Sequence, residues 1–120
     1  MDFSVRACTA FVAGCLISGC NSSGLYDYDK GRYVNFSGTI NPQRVSVYDH
    51  THGAQFDGHC QGQRYSLYHY GKGGSVDIDV SGSRFSGCDF TTGSHFDGTV
   101  SGTTVSLYDY GASRWFEYSI

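Results

Sequence analysis

Residues 56–75 read FDGHCQGQRYSLYHYGKGGS, and residues 96–115 read FDGTVSGTTVSLYDYGASRW. The same sentence is written twice, forty residues apart. Looser copies start at Phe36 (FSGTINPQRVSVYDHTHGAQ) and Val76 (VDIDVSGSRFSGCDFTTGSH), and a fifth row opens at Phe116. The rows stack without a gap at a period of twenty residues. A short fixed period means that one supersecondary unit is reused, and that each copy needs its neighbours to bury its apolar side.

Each row holds two alternating segments divided by turn chemistry. In the fourth, Phe96, Gly98 and Val100 face one way and Asp97 and Thr99 the other. Ser101-Gly102-Thr103-Thr104 turns the chain. Val105 and Leu107 then face inward, with Ser106, Tyr108 and Tyr110 outward, until Gly111-Ala112-Ser113 turns it again. Residues 25–36 (LYDYDKGRYVNF) match residues 107–118 (LYDYGASRWFEY), so the chain begins and ends on the same hairpin. The expectation is an all-β domain of about ten short strands without helix past residue 24. The inward glycines Gly38, Gly58, Gly87 and Gly98 suggest a narrow interior of alternating large and small side chains, without a large ligand cavity.

Two architectures share this pattern: an antiparallel up-and-down meander, closed as a barrel or flower-like ring, and a parallel β-solenoid with one row per rung. The second position of the rows carries Ser37, Asp57, Asp77, Asp97 and Glu117. Stacked rungs would hold these about 4.8 Å apart, where like charges repel, whereas an intervening strand doubles the spacing. The meander is therefore favoured. The Tyr-Asp pairs of Val47-Tyr48-Asp49 and Leu107-Tyr108-Asp109-Tyr110-Gly111 resemble the core of YD-type repeats and the units of β-flower domains, a likeness that implies hairpin repeats and no activity.

The amino-terminal segment follows other rules. Arg6 and the amino terminus form a weakly positive start, Ala7 to Ile17 is uncharged and mostly apolar, and Leu16-Ile17-Ser18-Gly19-Cys20 closes the run. The run is shorter than the roughly 20 apolar residues a spanning helix needs, and reads as an export signal. Its ending resembles the lipobox of bacterial lipoproteins. That resemblance implies a signal peptide at 1–19, lipidation of Cys20, a tether at 20–24 and a β domain at 25–120, apart from which the first twenty residues lie. It also implies a cell-envelope location, lipid-anchored in a membrane. Asn21 points by the same resemblance to the outer membrane, facing the periplasm or exterior.

Composition narrows the partners. The net charge is −3, with no basic stripe of the kind that binds nucleic acid. Beyond Cys20, Cys60 and Cys88 are the cysteines left after signal removal, and export makes them a candidate disulfide. The register objects, because Cys60 belongs to the inward set and Cys88 to the outward one. Asp49, His69, Asp89 and Asp109 share one row position, with Asp27 in the matching first hairpin. They read either as caps on the turns that follow or as a ring able to hold a cation or do acid–base work. Repetition in every copy favours capping. His50-Thr51-His52 could offer two imidazoles to zinc, but no ligand motif accompanies them, and no metal, cofactor or catalytic residue is assigned. Tyr48, Tyr68, Tyr70, Tyr108, Tyr110 and Trp115 form a candidate binding face for an envelope protein or glycan, or else simply brace the sheet. The expected function is a non-catalytic binding or structural role at the envelope. The alternatives are a small metal binder or enzyme using the row-end set, and an inhibitor of an envelope-attacking enzyme.

Overall fold

The rows fold in the order in which they are written. A computed structural model describes residues 1–19 and 22–120. Its strands are β1 (Gly24–Asp27), β2 (Arg32–Ile40), β3 (Arg44–Asp49), β4 (Ala54–Gln61) and β5 (Arg64–His69), followed by β6 (Gly74–Ser81), β7 (Arg84–Asp89), β8 (Ser94–Ser101), β9 (Thr104–Asp109) and β10 (Arg114–Ser119). Every strand pairs antiparallel with the next, and β1 pairs with β10, which closes the meander into a barrel. The parallel solenoid is not the architecture.

Closure follows from the repeat. The row that opens at Phe116 supplies β10 and then runs out of chain. Its missing second strand is β1, whose Leu25-Tyr26-Asp27 stands where Leu107-Tyr108-Asp109 stands in the row before. Tyr26 lies opposite Ser119 and Asp27 opposite Tyr118. The barrel is thus five rows around, and the seam is the only row assembled from both ends of the chain.

Alternation decides which side each residue faces. Val105, Leu107, Phe116 and Tyr118 are buried inside, while Ser106 and Glu117 stand outside, where the serine hydroxyl donates to Glu117 Oε2 at 2.6 Å. The row-second acids fall on alternate strands, each flanked by a serine. Asp57 lies opposite Ser46, Asp77 opposite Ser66 and Asp97 opposite Ser86. An apolar inside and a polar outside are the reverse of a lipid-facing barrel wall.

The inward glycines have a second cause beside the one the sequence suggested. A Cβ on Gly98 would sit 2.1 Å from the Ser106 carbonyl oxygen, and one on Gly58 would sit 1.9 Å from that of Ser66. These are collisions with the backbone of the adjoining strand; at Gly98 and Gly87 the rings of Phe85 and Phe96 also stand 2.5 Å and 2.9 Å from such a Cβ, large beside small. Glycine here lets neighbouring strands bend closely past one another, the device by which a sheet curls.

The interior is filled by helix α1 (Phe3–Ser18), which differs from the expectation that the first twenty residues stand apart. Residues 4–15 of the helix are buried on every side, and it packs against β1, β2, β6, β8 and β9 around the wall. Phe11 stacks on Phe36 with ring centroids 4.1 Å apart. Apart from Arg6, the buried turns carry small or apolar side chains, so the helix has no broad polar face to offer water and must be covered, and the inner wall is the cover at hand. At sixteen residues it is about 24 Å long. No helix among the described residues is long and apolar enough to cross a membrane. Cys20 and Asn21, the lipidation and sorting positions of the lipobox reading, lie outside the described residues.

Candidate functional site

The row-end residues come together as a ring at one end of the lumen. Asp27, Asp49, His69, Asp89 and Asp109 each close the second strand of a row, point inward and are at most 3% exposed. Each caps the turn that follows. Asp49 Oδ1 accepts from the amides of Thr51 and His52, both at 2.9 Å, and Asp27 Oδ1 accepts from those of Asp29 and Lys30. Asp89 Oδ1 accepts from the Thr91 amide at 2.8 Å, and Asp109 Oδ1 from that of Gly111 at 2.9 Å. His69 fills the same office with a ring nitrogen, its Nδ1 accepting from the Lys72 amide at 3.1 Å. The capping reading thus describes the geometry in all five rows.

Capping uses only one oxygen of each carboxylate. The other faces different company from row to row. Asp49 Oδ2 meets His52 Nδ1 at 2.6 Å and the Cys8 thiol at 3.7 Å, and Asp89 Oδ2 accepts from the Thr92 hydroxyl at 3.2 Å. Burial, and after it the charge of Asp49, push the Cys8 thiol well above its usual range. Asp109 Oδ2 binds cations. Arg6 Nη1 lies 3.2 Å away and the chain's amino group 3.1 Å away. Arg6 Nε also donates to the Tyr118 hydroxyl at 3.2 Å, and its guanidinium carbon sits 3.5 Å from the Phe116 ring centroid. A buried charge needs both a counter-charge and hydrogen bonds. Asp109, Tyr118 and Phe116 supply a carboxylate, a phenol and an aromatic face from β9 and β10.

His69 completes the ring with an unmet need. With Nδ1 accepting, the tautomer places the proton on Nε2, which is buried and has no partner among the described residues. Burial holds this histidine below its ordinary value, against an opposing pull from Asp49, Asp2 and Asp89.

At the other end, where Ser22 and Ser23 lead into β1, a cleft of about 250 Å³ opens beside the helix. It is lined by Phe11, Phe36, Gly38, Ile40 and Val47. The helix therefore does not fill the lumen completely.

The remaining candidates are placed less compactly. Tyr48, Tyr68, Tyr70, Tyr108, Tyr110 and Trp115 all face outward at the capped end, but on β3, β5, β9 and β10 and the turns after β5 and β9. They form a belt around the barrel, not one face. Tyr68 and Tyr70 meet edge to face at 4.8 Å, as do Tyr108 and Tyr110, and Tyr48 does the same with His50 at 4.9 Å. Tyr26, Tyr28 and Tyr33 belong to the same belt and were not singled out from the sequence. Their membership was legible in the match of the first hairpin to the last.

Cys60 and Cys88 are free thiols. Cys60 lies level with Tyr65, Ile78 and Gly87 on successive strands. Three strand spacings, about 14 Å, separate β4 from β7, well beyond the roughly 7 Å a bridge allows. The two side chains also point to opposite sides of the wall. His50 and His52 turn to different partners, Ser37 Oγ at 2.6 Å and Asp49 Oδ2. Among the described residues no group of three or more His, Cys, Asp or Glu is disposed to hold a metal ion. Comparison with protein-family models, curated proteins and solved structures gives no match to this chain.

Proposed function

We propose that this chain is a bacterial envelope lipoprotein, anchored through Cys20, whose barrel is a non-catalytic binding module and whose lumen is the binding chamber. One observation carries the reading. The segment that fills the lumen is the segment that cleavage before Cys20 would remove. Removal would strip cover from Phe36, Val47, Phe96, Val105 and Leu107, all at most 3% exposed with the helix in place. Apolar surface returned to water costs roughly 25 cal/mol per Å², so a mature barrel gains by taking an occupant. The row-end set favours binding over chemistry, since each member is already engaged as a turn cap. The aromatic belt offers a secondary contact to an envelope protein or glycan.

The specific contacts of Arg6 favour a second reading, in which α1 stays as a permanent plug. Radiolabelled palmitate added to a bacterial host expressing the chain separates the two. The lipoprotein reading predicts label on a chain shortened by nineteen residues, and no label on Cys20→Ser. An unlabelled, full-length chain in the membrane fraction would refute it.

A further inference from the structure

We propose that the lumen binds a single-chain amphiphile with a cationic head, seated on Asp109, Tyr118 and Phe116, and with its tail along the apolar wall. The inference rests on the lipoprotein reading, because the seat is vacated only if the leader leaves.

The seat is already drawn by its present occupant. Arg6 places one positive group between a carboxylate, a phenol oxygen and an aromatic face. Asp109 and Tyr118 are 0% exposed and Phe116 is 4% exposed. Without Arg6 and the amino group, Asp109 Oδ2 would have no counter-charge, and the Tyr118 hydroxyl would lose a partner. Water entering the lumen can solvate the carboxylate but carries no charge, whereas a guanidinium or ammonium restores both the charge pair and the contact with the ring.

Two further features fix the remainder of the ligand. Below the ring, the wall presents Val34, Phe36, Val76, Phe96, Val105 and Leu107, all at most 3% exposed, and no carboxylate or cationic side chain, which suits an alkyl chain. Each methylene buried there adds to the affinity. Two rows round the ring from the seat, with Asp89 between, His69 Nε2–H has no acceptor among the described residues even with the helix in place. A hydroxyl or carbonyl reaching across the lumen from the head would supply one. An anionic head fits poorly, because Asp27, Asp49, Asp89 and Asp109 surround it.

The test uses the lipid-anchored protein purified into nanodiscs. Three photoactivatable probes share one dodecyl chain with a terminal diazirine and differ in their heads: guanidinium, maltoside and carboxylate. Peptide mapping by mass spectrometry then locates the crosslinks. The expected result is labelling of lumen residues such as Phe96 and Leu107, with the cationic probe favoured at least about tenfold. Asp109→Asn brings the three probes to parity. Should that variant fail to fold, Tyr118→Phe and Phe116→Leu, which keep the turn cap, still lower the cationic preference several-fold. Equal labelling by all heads, or labelling confined to the outer wall, overturns the proposal. So does a lumen that admits only a synthetic peptide of residues 1–19. The same map reads the amino terminus. Peptides from residues 1–19 would mean that the lipoprotein reading fails and Arg6 keeps the seat. A lipidated residue 20 without cationic preference would mean that this inference alone fails.

Discussion

Ser113 has a φ of 57°, the only positive value at a non-glycine among the described residues. Gly31, Gly53, Gly73 and Gly93 hold the matching place in the other four rows, with φ between 66° and 74°. A side chain in the left-handed region costs roughly 1–2 kcal/mol, part of which glycine gives back through its freer unfolded chain. Ser113→Gly should therefore raise stability by about 1 kcal/mol and the thermal midpoint by several degrees. An unchanged midpoint in calorimetry would refute this. His69 makes a second residue-scale prediction. Burial lowers its folded-state pKa below the ordinary 6.5, so as pH falls past that value the unfolded chain takes up the proton first. Stability tied to this group is present above pH 6.5 and is lost below it. Urea midpoints at pH 7 and 5.5 should drop less for His69→Asn than for the parent chain. Equal drops would contradict the assignment.

At the scale of strand and turn, the repeat told most of the story before any coordinates. The acids at the second position of the rows chose the meander, and the structure puts Asp57, Asp77 and Asp97 on alternate strands beside serines. The shared hairpin of 25–36 and 107–118 held the closure in advance, since a first half-row and a last half-row make one whole. The inward glycines were identified, but with only the side-chain half of their cause. Side-chain volume is visible in a sequence, whereas the approach of one backbone to another depends on how far the sheet curls. That distinction is testable. A Cβ on Gly98 would lie 2.1 Å from the Ser106 oxygen and 2.5 Å from Phe85 Cζ. Trimming Phe85 relieves only the second clash, so Gly98→Ala should cost about 3 kcal/mol and should not be rescued by Phe85→Leu. Recovery of the thermal midpoint in the double variant would restore the volume explanation.

For the whole molecule, the largest difference between sequence and structure concerns the lumen. Periodicity showed which side of each strand is apolar but not how wide a closed ring of ten strands becomes, and that width is what admits a helix. The Asp109 seat stayed hidden for the same reason: its cation, Arg6, lies 103 residues away in sequence. The cap role of the row-end residues could be read locally, because each contact spans two or three residues. The second oxygens of Asp49 and Asp89 also meet local side chains, His52 and Thr92, whereas the Cys8 thiol and the cations on Asp109 arrive from the amino-terminal segment and could not be read there. The binding account then depends on one property, that the ring of strands holds its own shape when nothing threads it.

Hydrogen exchange on residues 20–120 alone, without α1, measures that property at the seam. If the wall is self-supporting, the backbone amides that join β1 to β10 around Asp27 and Tyr118 exchange as slowly as those joining β8 to β9. If the seam exchanges freely while β8 and β9 stay protected, the ring opens without α1, and there is no chamber to bind anything.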